Sequence, residues 1–210
     1  FFGFRYVKVE GLNEEEAQRF SAKVLHSKME ERFRFTSSHK KLNQLISNIR
    51  WSQKDNFLSI PTDCPQRDER MGWTGDITVF ANTASYNMET RAFLGHFLKM
   101  VELEQEHLNG AVPFFAPFPK VADRDAQNPF LNSAGAAVWG DAATVLPMTL
   151  FRHFRDQGLL NSHLSLMMNW VDYIYRQDEE RGGKRLWDFG FQLGDWLALD
   201  LGIPGTVFPD

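Results

Sequence analysis

The sequence predicts an all-α domain preceded by a short β segment that ends an upstream β domain. Three observations carry this. Apolar residues recur at i, i+3, i+4 and i+7 in several stretches, the spacing of one helix face. The segments between those stretches hold most of the prolines and glycines and much of the polar and aromatic content. Strand-like and helix-like stretches nowhere alternate as βαβ units require, and no internal repeat is present.

Phe2, Phe4 and Tyr6 alternate with Gly3, Arg5 and Val7, and Val9 continues the second set. This period of two marks a strand. A lone strand cannot bury itself, so residues 1–11 read as the end of an upstream β domain. Residues 12–36 are polar and mixed, and read as a linker. Ser37 or Ser38 then caps a helix carrying Leu42, Leu45, Ile46 and Ile49 on one face. That helix should end around Trp51–Asn56. A charged stretch, Pro61–Asp76, follows.

Thr74 or Asp76 opens the next helix, with Val79, Phe80, Thr83, Ala84 and Asn87. Asn82 and Asn87 read as ordinary helix polar residues. A third helix runs from Thr90 or Arg91 to about His107, with Phe93, Phe97, Met100, Val101 and Glu104 along one side. Gly110, Pro113, Pro117, Pro119 and Pro129 make residues 109–133 a long loop, and loops of that length in a compact domain are often functional. Helix resumes from about Ala134 to Phe154, with a kink or early break at Pro147. Leu164, Met167, Met168, Val171 and Tyr175 outline another helix. DEERGGKR is a turn, FGFQLGDWLALD a loop or short helix, and a Pro- and Gly-rich tail ends the chain.

Composition narrows the function classes. The 210 residues allow one domain with a substantial core. Hydrophobic residues at 43% and charged residues at 24% describe a globular chain. The net charge of −4 argues against a general nucleic-acid binder, which needs a basic face. No polybasic run or membrane-length apolar run occurs. No signal peptide is visible, and FFGFRYVKVEG looks cut from something longer. Cys64 is the only cysteine, so no intrachain disulfide forms and no thiolate zinc site can be built. The compartment stays open.

The chemistry concentrates in PTDCPQRDERMGWTGD, residues 61–76, which packs Asp63, Arg67, Asp68, Glu69, Arg70 and Asp76 beside Trp73. Glycoside hydrolysis uses two carboxyl groups across the scissile bond; in inverting enzymes they stand about 6.5–9.5 Å apart. Close like charges raise one another's pKa and can keep one carboxyl protonated as an acid. Arg67 and Arg70 would balance the excess charge, and Trp73 offers a face to sugar C–H groups. The plain alternative is a solvated, salt-bridged loop. A Ca²⁺ site is the other sharp reading, but the spacing does not fit an EF-hand loop. A serine triad lacks its GxSxG elbow. The six histidines form no HExxH pair, and His96, His153 and His163 read as packing or surface residues.

Two further clusters join a Trp to an Asp through glycine: Trp139-Gly140-Asp141 and Gly194-Asp195-Trp196. Each alone reads as a core Trp beside a helix-capping Asp. Together with Trp73 they favour a shared carbohydrate pocket.

IPTDCPQRDERMGWTGD resembles the signature of the bacterial α-L-rhamnosidases, glycoside hydrolase family 78. GFRYVKVEG at residues 3–11, NQLISNIRWSQKDNF at 43–57, GAVPFFAP at 110–117, WGDA at 139–142 and GDWL at 194–197 are similar to further blocks of that family. The resemblance implies that residues 37–210 are the N-terminal half of an (α/α)6-barrel catalytic domain. It implies inverting hydrolysis of terminal α-L-rhamnosides in a rhamnose-containing glycoside, with no cofactor, no metal, no nucleic acid and no membrane. Glu69 would be the general acid. Asp63 and Asp76 would hold rhamnose hydroxyls, Arg67 and Asp68 would shape the site, and Trp73, Trp139 and Trp196 would wall it. Asp141 and Asp195 join the substrate-binding candidates. The general base would lie beyond Asp210. A related inverting (α/α)6 glycosidase of other specificity and a non-catalytic sugar-binding fragment remain as alternatives.

Overall fold

A computed structural model describes residues 3–118 and 133–194. The architecture is helical, with one two-stranded hairpin. Its elements are α1 (Glu14–Ala17), α2 (Lys40–Asn56), β1 (Phe57–Leu58), β2 (Ile60–Pro61), α3 (Thr74–Asn87), α4 (Arg91–His107), α5 (Ala142–Phe154), α6 (Gln157–Ser162) and α7 (Leu164–Glu180).

Residues 3–10 form no strand. The alternation is there, but backbone donors and acceptors need a neighbouring strand, and none is present among the described residues. Residues 12–36 divide. The first part holds α1, closed by a capping box between Asn13 and Glu16. The second part lies against the helices. Ser27 N–H donates to Phe57 O at 2.7 Å, Arg32 N–H to Asn87 O at 2.8 Å, and Lys54 pairs with Glu31 at 2.9 Å.

α2 begins one residue later than the expected serine caps allow. His39 is the N-cap, its ring nitrogen accepting from Leu42 N–H at 3.2 Å. Ser37 is drawn instead into a brace with Asn43, whose side chain bonds the Ser37 backbone at both ends. α2 buries only Gln53. That side chain donates to Ala84 O and accepts from Asn87 Nδ2 at 3.0 Å. Asn87 is therefore a buried strut between α2 and α3 rather than an ordinary helix polar residue.

The core lies between α3, α4 and α5. α3 turns Ile77, Ala81 and Ala84 inward, and α5 meets them with Ala142, Ala143 and Leu146. Small residues on both helices permit this close approach, the most extensive between any two elements. α4 contributes Phe93, Leu94, Phe97, Leu98 and Val101. Burying side chains of this size is worth about 1.5–3 kcal/mol each. α4 also buries Gln105, which donates to Gly110 O and Leu166 O and so pins the start of the next loop.

Two expectations are corrected here. Helix does not resume at Ala134; residues 133–141 form turns with positive φ at Gly135 and Val138, and α5 starts at Ala142. Pro147 does not break α5, because burial on both flanks offsets its one missing N–H donor. The helix expected from Leu164 onward is present as α7. Leu164, Met168, Val171 and Tyr175 all lie exposed, while Leu166 and Trp170 are the buried anchors. The helix is apolar on more than one face, so period alone could not choose between them. Among the described residues no helix is long and apolar enough to cross a membrane.

Candidate active site

α2 delivers the chain to the site through the β1–β2 hairpin. Phe57 pairs with Pro61 and Leu58 with Ile60 around Ser59, whose φ is 66°. Thr62 then closes on Asn56 O through its N–H and its hydroxyl, both at 2.8 Å. The loop from Asp63 to Met71 is closed by a reciprocal pair. Asp63 N–H donates to Met71 O at 3.2 Å, and Met71 N–H donates to Asp63 Oδ1 at 3.1 Å. Asp63 is thus held by the loop it opens.

Within the loop, Arg67 grips Glu69 Oε2 through Nε at 3.0 Å and Nη2 at 2.8 Å. Arg67 lies largely in solvent, and the Asp68 side chain is 98% exposed, 4.0 Å from Arg70. The structure therefore turns Asp68 outward, away from the other carboxylates. Asp63, Cys64 and Glu69 bring donor atoms within 4.8 Å of one another. Burial first, then Asp63 and Glu69, push the Cys64 thiol up to about 11. A protonated thiol beside a carboxylate already gripped by Arg67 is a poor ligand set, so this trio reads as an acidic pair balanced by guanidinium.

The chain then zips against the second loop. Ala116 N–H donates to Gly72 O at 3.0 Å, Thr74 N–H to Phe114 O at 2.9 Å, and the Thr74 hydroxyl reaches Pro113 O and Phe114 O. A Cβ on Gly72 would meet Ala116 O at 2.3 Å, so only glycine permits this contact. Trp73 is held edge-on to Phe115, ring centroids 5.1 Å apart, and tilted on Phe114 at 6.4 Å.

Thr74 starts α3, which puts Asp76 in the first helical turn, where backbone N–H groups favour a carboxylate. Gly75 lets the Trp139 indole rest on the helix. Trp139 is backed in turn by Phe114, centroids 6.2 Å apart. Trp73 and Trp139 so belong to one aromatic cluster, joined through Phe114.

A cavity of about 830 Å³ opens over this arrangement. Asp63, Asp76 and Thr62 give it polar groups; Ile77, Val138 and Trp139 give it apolar wall. Asp76 still reaches solvent through the mouth, yet the surrounding wall crowds it. Burial first, then the charges of Asp63 and Glu69, raise its pKa above the ordinary carboxylate value. Asp63 and Asp76 line the cavity, while Glu69 stands beside Asp63 outside that lining, paired with Arg67.

Asp141 has another occupation. Its Oδ2 accepts from Val138 N–H at 3.0 Å and its Oδ1 from Trp170 Nε1 at 3.2 Å. Each oxygen accepts a hydrogen bond from the protein, so Asp141 has a structural occupation as well. Gly194 lines the cavity; Asp195 and Trp196 lie outside the described residues. Sequence reading missed Val138 and the end of α2, where Gln53 and Asn56 also line the cavity, and Phe114, which backs Trp139. Gln53 had a signal: it is a polar residue on the inward side of an otherwise apolar helix face.

Residues 30–208 match the bacterial alpha-L-rhamnosidase 6 hairpin glycosidase domain. The alpha-L-rhamnosidase of Formosa agariphila is 39% identical over 177 residues, covering 81% of this chain and 18% of that protein. That of Alteromonas sp. (strain LOR) is 36% identical over 200 residues, 94% of this chain and 20% of that protein. The chain spans about a fifth of the length of the curated relatives it matches. Among solved structures, Streptomyces avermitilis alpha-L-rhamnosidase complexed with L-rhamnose superposes with a TM-score of 0.63 at 39% identity, covering 72% of this chain and 14% of that one. The alpha-L-rhamnosidase from Dictyoglumus thermophilum superposes with a TM-score of 0.70 at 29% identity, covering 88% of this chain and 19% of that one.

Proposed function

The chain belongs to the bacterial α-L-rhamnosidase six-hairpin glycosidase family, its helices forming part of an (α/α)6 barrel, and from that premise we propose that it supplies the acid side of an inverting site for terminal α-L-rhamnosides. The observation that carries the reading is the convergence of Asp63, Glu69 and Asp76 beside the Trp73–Trp139 aromatic cluster. A solvated salt-bridged loop would not place carboxylates around an apolar-walled cavity.

Glu69 is the general acid, protonating the leaving glycosidic oxygen, and Arg67 orients its carboxyl. Asp63 and Asp76 accept hydrogen bonds from rhamnose hydroxyls. Trp73 and Trp139 wall the sugar, with Trp196 assigned the same role from the sequence alone. Rhamnose is a 6-deoxy sugar, and its CH₃ favours apolar contact where a CH₂OH would leave a hydroxyl unpaired. The opposing base, expected beyond Asp210, activates water on the far face of the ring. Asp68 serves only at a distance, through Arg70. The substrate partner is a rhamnose-containing glycoside.

The test is Glu69→Gln in the complete protein, assayed with an aryl α-L-rhamnoside. Loss of about 10²–10⁴-fold in kcat is expected for removal of a general acid. Turnover near wild type would remove Glu69 from that role. Asp76, with its raised pKa, is the second candidate, and an inactive Asp76→Asn beside an active Glu69→Gln would assign the acid to it.

A further inference from the structure

Val138 differs from the rest of the cavity wall in its backbone. It is a β-branched residue with φ at 69°, a conformation that side chains branched at Cβ resist. Such strain persists only where the surroundings over-determine it. Here three hydrogen bonds do so. Val138 N–H donates to Asp141 Oδ2 at 3.0 Å. Trp170 Nε1 donates to Asp141 Oδ1 at 3.2 Å and so ties that carboxylate to the buried core of α7. Ala137 N–H donates to Gln192 Oε1 at 2.9 Å.

Glycine would make the same turn without strain. The strain therefore serves the side chain rather than the turn. Val138 lines the same cavity as Trp139, Asp63 and Asp76. It is 42% exposed, so the cavity has apolar surface there left to cover.

We propose that Val138 is a specificity-determining contact residue, its isopropyl group packing on the 6-deoxy side of the bound sugar, and that Asp141 is the positioning residue that holds it there. The proposal rests on the rhamnoside reading above. Asp141 acts without touching the sugar. Its two oxygens link the Val138 turn to Trp170, so the apolar wall is anchored in the core rather than left on a free loop.

The experiment compares aryl α-L-rhamnoside with aryl α-L-mannoside, which differ by CH₃ against CH₂OH, in the complete protein. In Val138→Ala the kcat/KM ratio of the two should narrow by about 5–15-fold, the effect of two lost methyl contacts that are partly exposed. The change should fall in KM, with kcat for the rhamnoside kept within about threefold. Val138→Gly removes the side chain and the strain together. It should narrow the ratio at least as far while leaving the melting temperature unchanged or higher. Asp141→Asn should move the ratio in the same direction. A ratio unchanged in both Val138 variants overturns the proposal. Should the wild-type protein neither bind L-rhamnose in calorimetry nor cleave the rhamnoside, the rhamnoside reading itself falls, and that result is distinct from an unchanged ratio.

Discussion

Replacing Gly75 with alanine tests whether Trp139 belongs to the sugar site. A Cβ built on Gly75 lies 2.5 Å from Trp139 Cε2 and 2.7 Å from its Cδ2 and Nε1. Ordinary contact begins near 3.4 Å, so the indole must retreat by about 0.9 Å. Its buried side is backed by Phe114. The backbone beside it cannot follow freely either, since Gly140 is packed so tightly that a Cβ there would meet Trp170 at 2.4 Å. The ring is left to move on its cavity side. Two energies oppose each other. Overpacking costs about 1–3 kcal/mol, while glycine to alanine within a helix recovers up to about 1 kcal/mol. A net loss of about 0–3 kcal/mol leaves the fold intact. The site suffers more, because a displacement of about 1 Å in a positioning group can cost about 10²-fold in rate. The assay pairs a thermal melt with kcat/KM for an aryl α-L-rhamnoside and calorimetric affinity for L-rhamnose. We expect a melting temperature within a few degrees of wild type and a ten- to hundredfold loss of kcat/KM and affinity. Wild-type kinetics and affinity in Gly75→Ala would refute the placement of Trp139 against the sugar.

Two further outcomes follow from the electrostatics. The folded pKa of Asp76 is raised above its ordinary value of 3.8, first by burial. The stability it contributes is therefore present below the unfolded pKa and lost as pH rises through the folded one. Ionised Asp76 is a destabilising group at neutral pH, so Asp76→Asn should raise the melting temperature at pH 7, with the gain vanishing near pH 3, while weakening L-rhamnose binding at least tenfold. A lower melting temperature at pH 7 would contradict the raised pKa. Cys64, pushed up to about 11, should react with iodoacetamide at pH 8 about 10²-fold more slowly in the folded protein than in urea, as the smaller thiolate fraction requires; equal rates would show that the acidic pair does not control it.

Much of this was legible in the amino-acid order. α3 and α4 begin at Thr74 and Arg91, each one of the two starts the residues allowed, and α4 ends at His107 as expected, because helix limits depend on residues within a turn or two. The Pro61–Asp76 stretch announced a site through sheer density of charge beside a tryptophan. What the order of residues could not show was whatever depended on a distant partner. Asp141 was expected at the sugar, yet its partner Trp170 lies 29 residues away. Asp68 was expected to shape the site, yet the backbone turn that gives Arg70 a φ of 55° follows immediately, and Asp68 faces solvent. The buried face of α7 was not legible, because apolar residues ring that helix and only its neighbours select Leu166 and Trp170.

The sequence alone determined the helical class, the family and the set of carboxylates and aromatics available to the chemistry. Local spacing and a long ungapped signature suffice for those. Tertiary structure decided which members of that set meet. It placed Asp63 and Asp76 on one cavity with Glu69 beside Asp63, spent Asp141 on the turn next to it, and held Val138 in a conformation that valine alone would reject. Hydrogen bonds between loops far apart in the chain impose that arrangement, and no run of neighbouring residues encodes them.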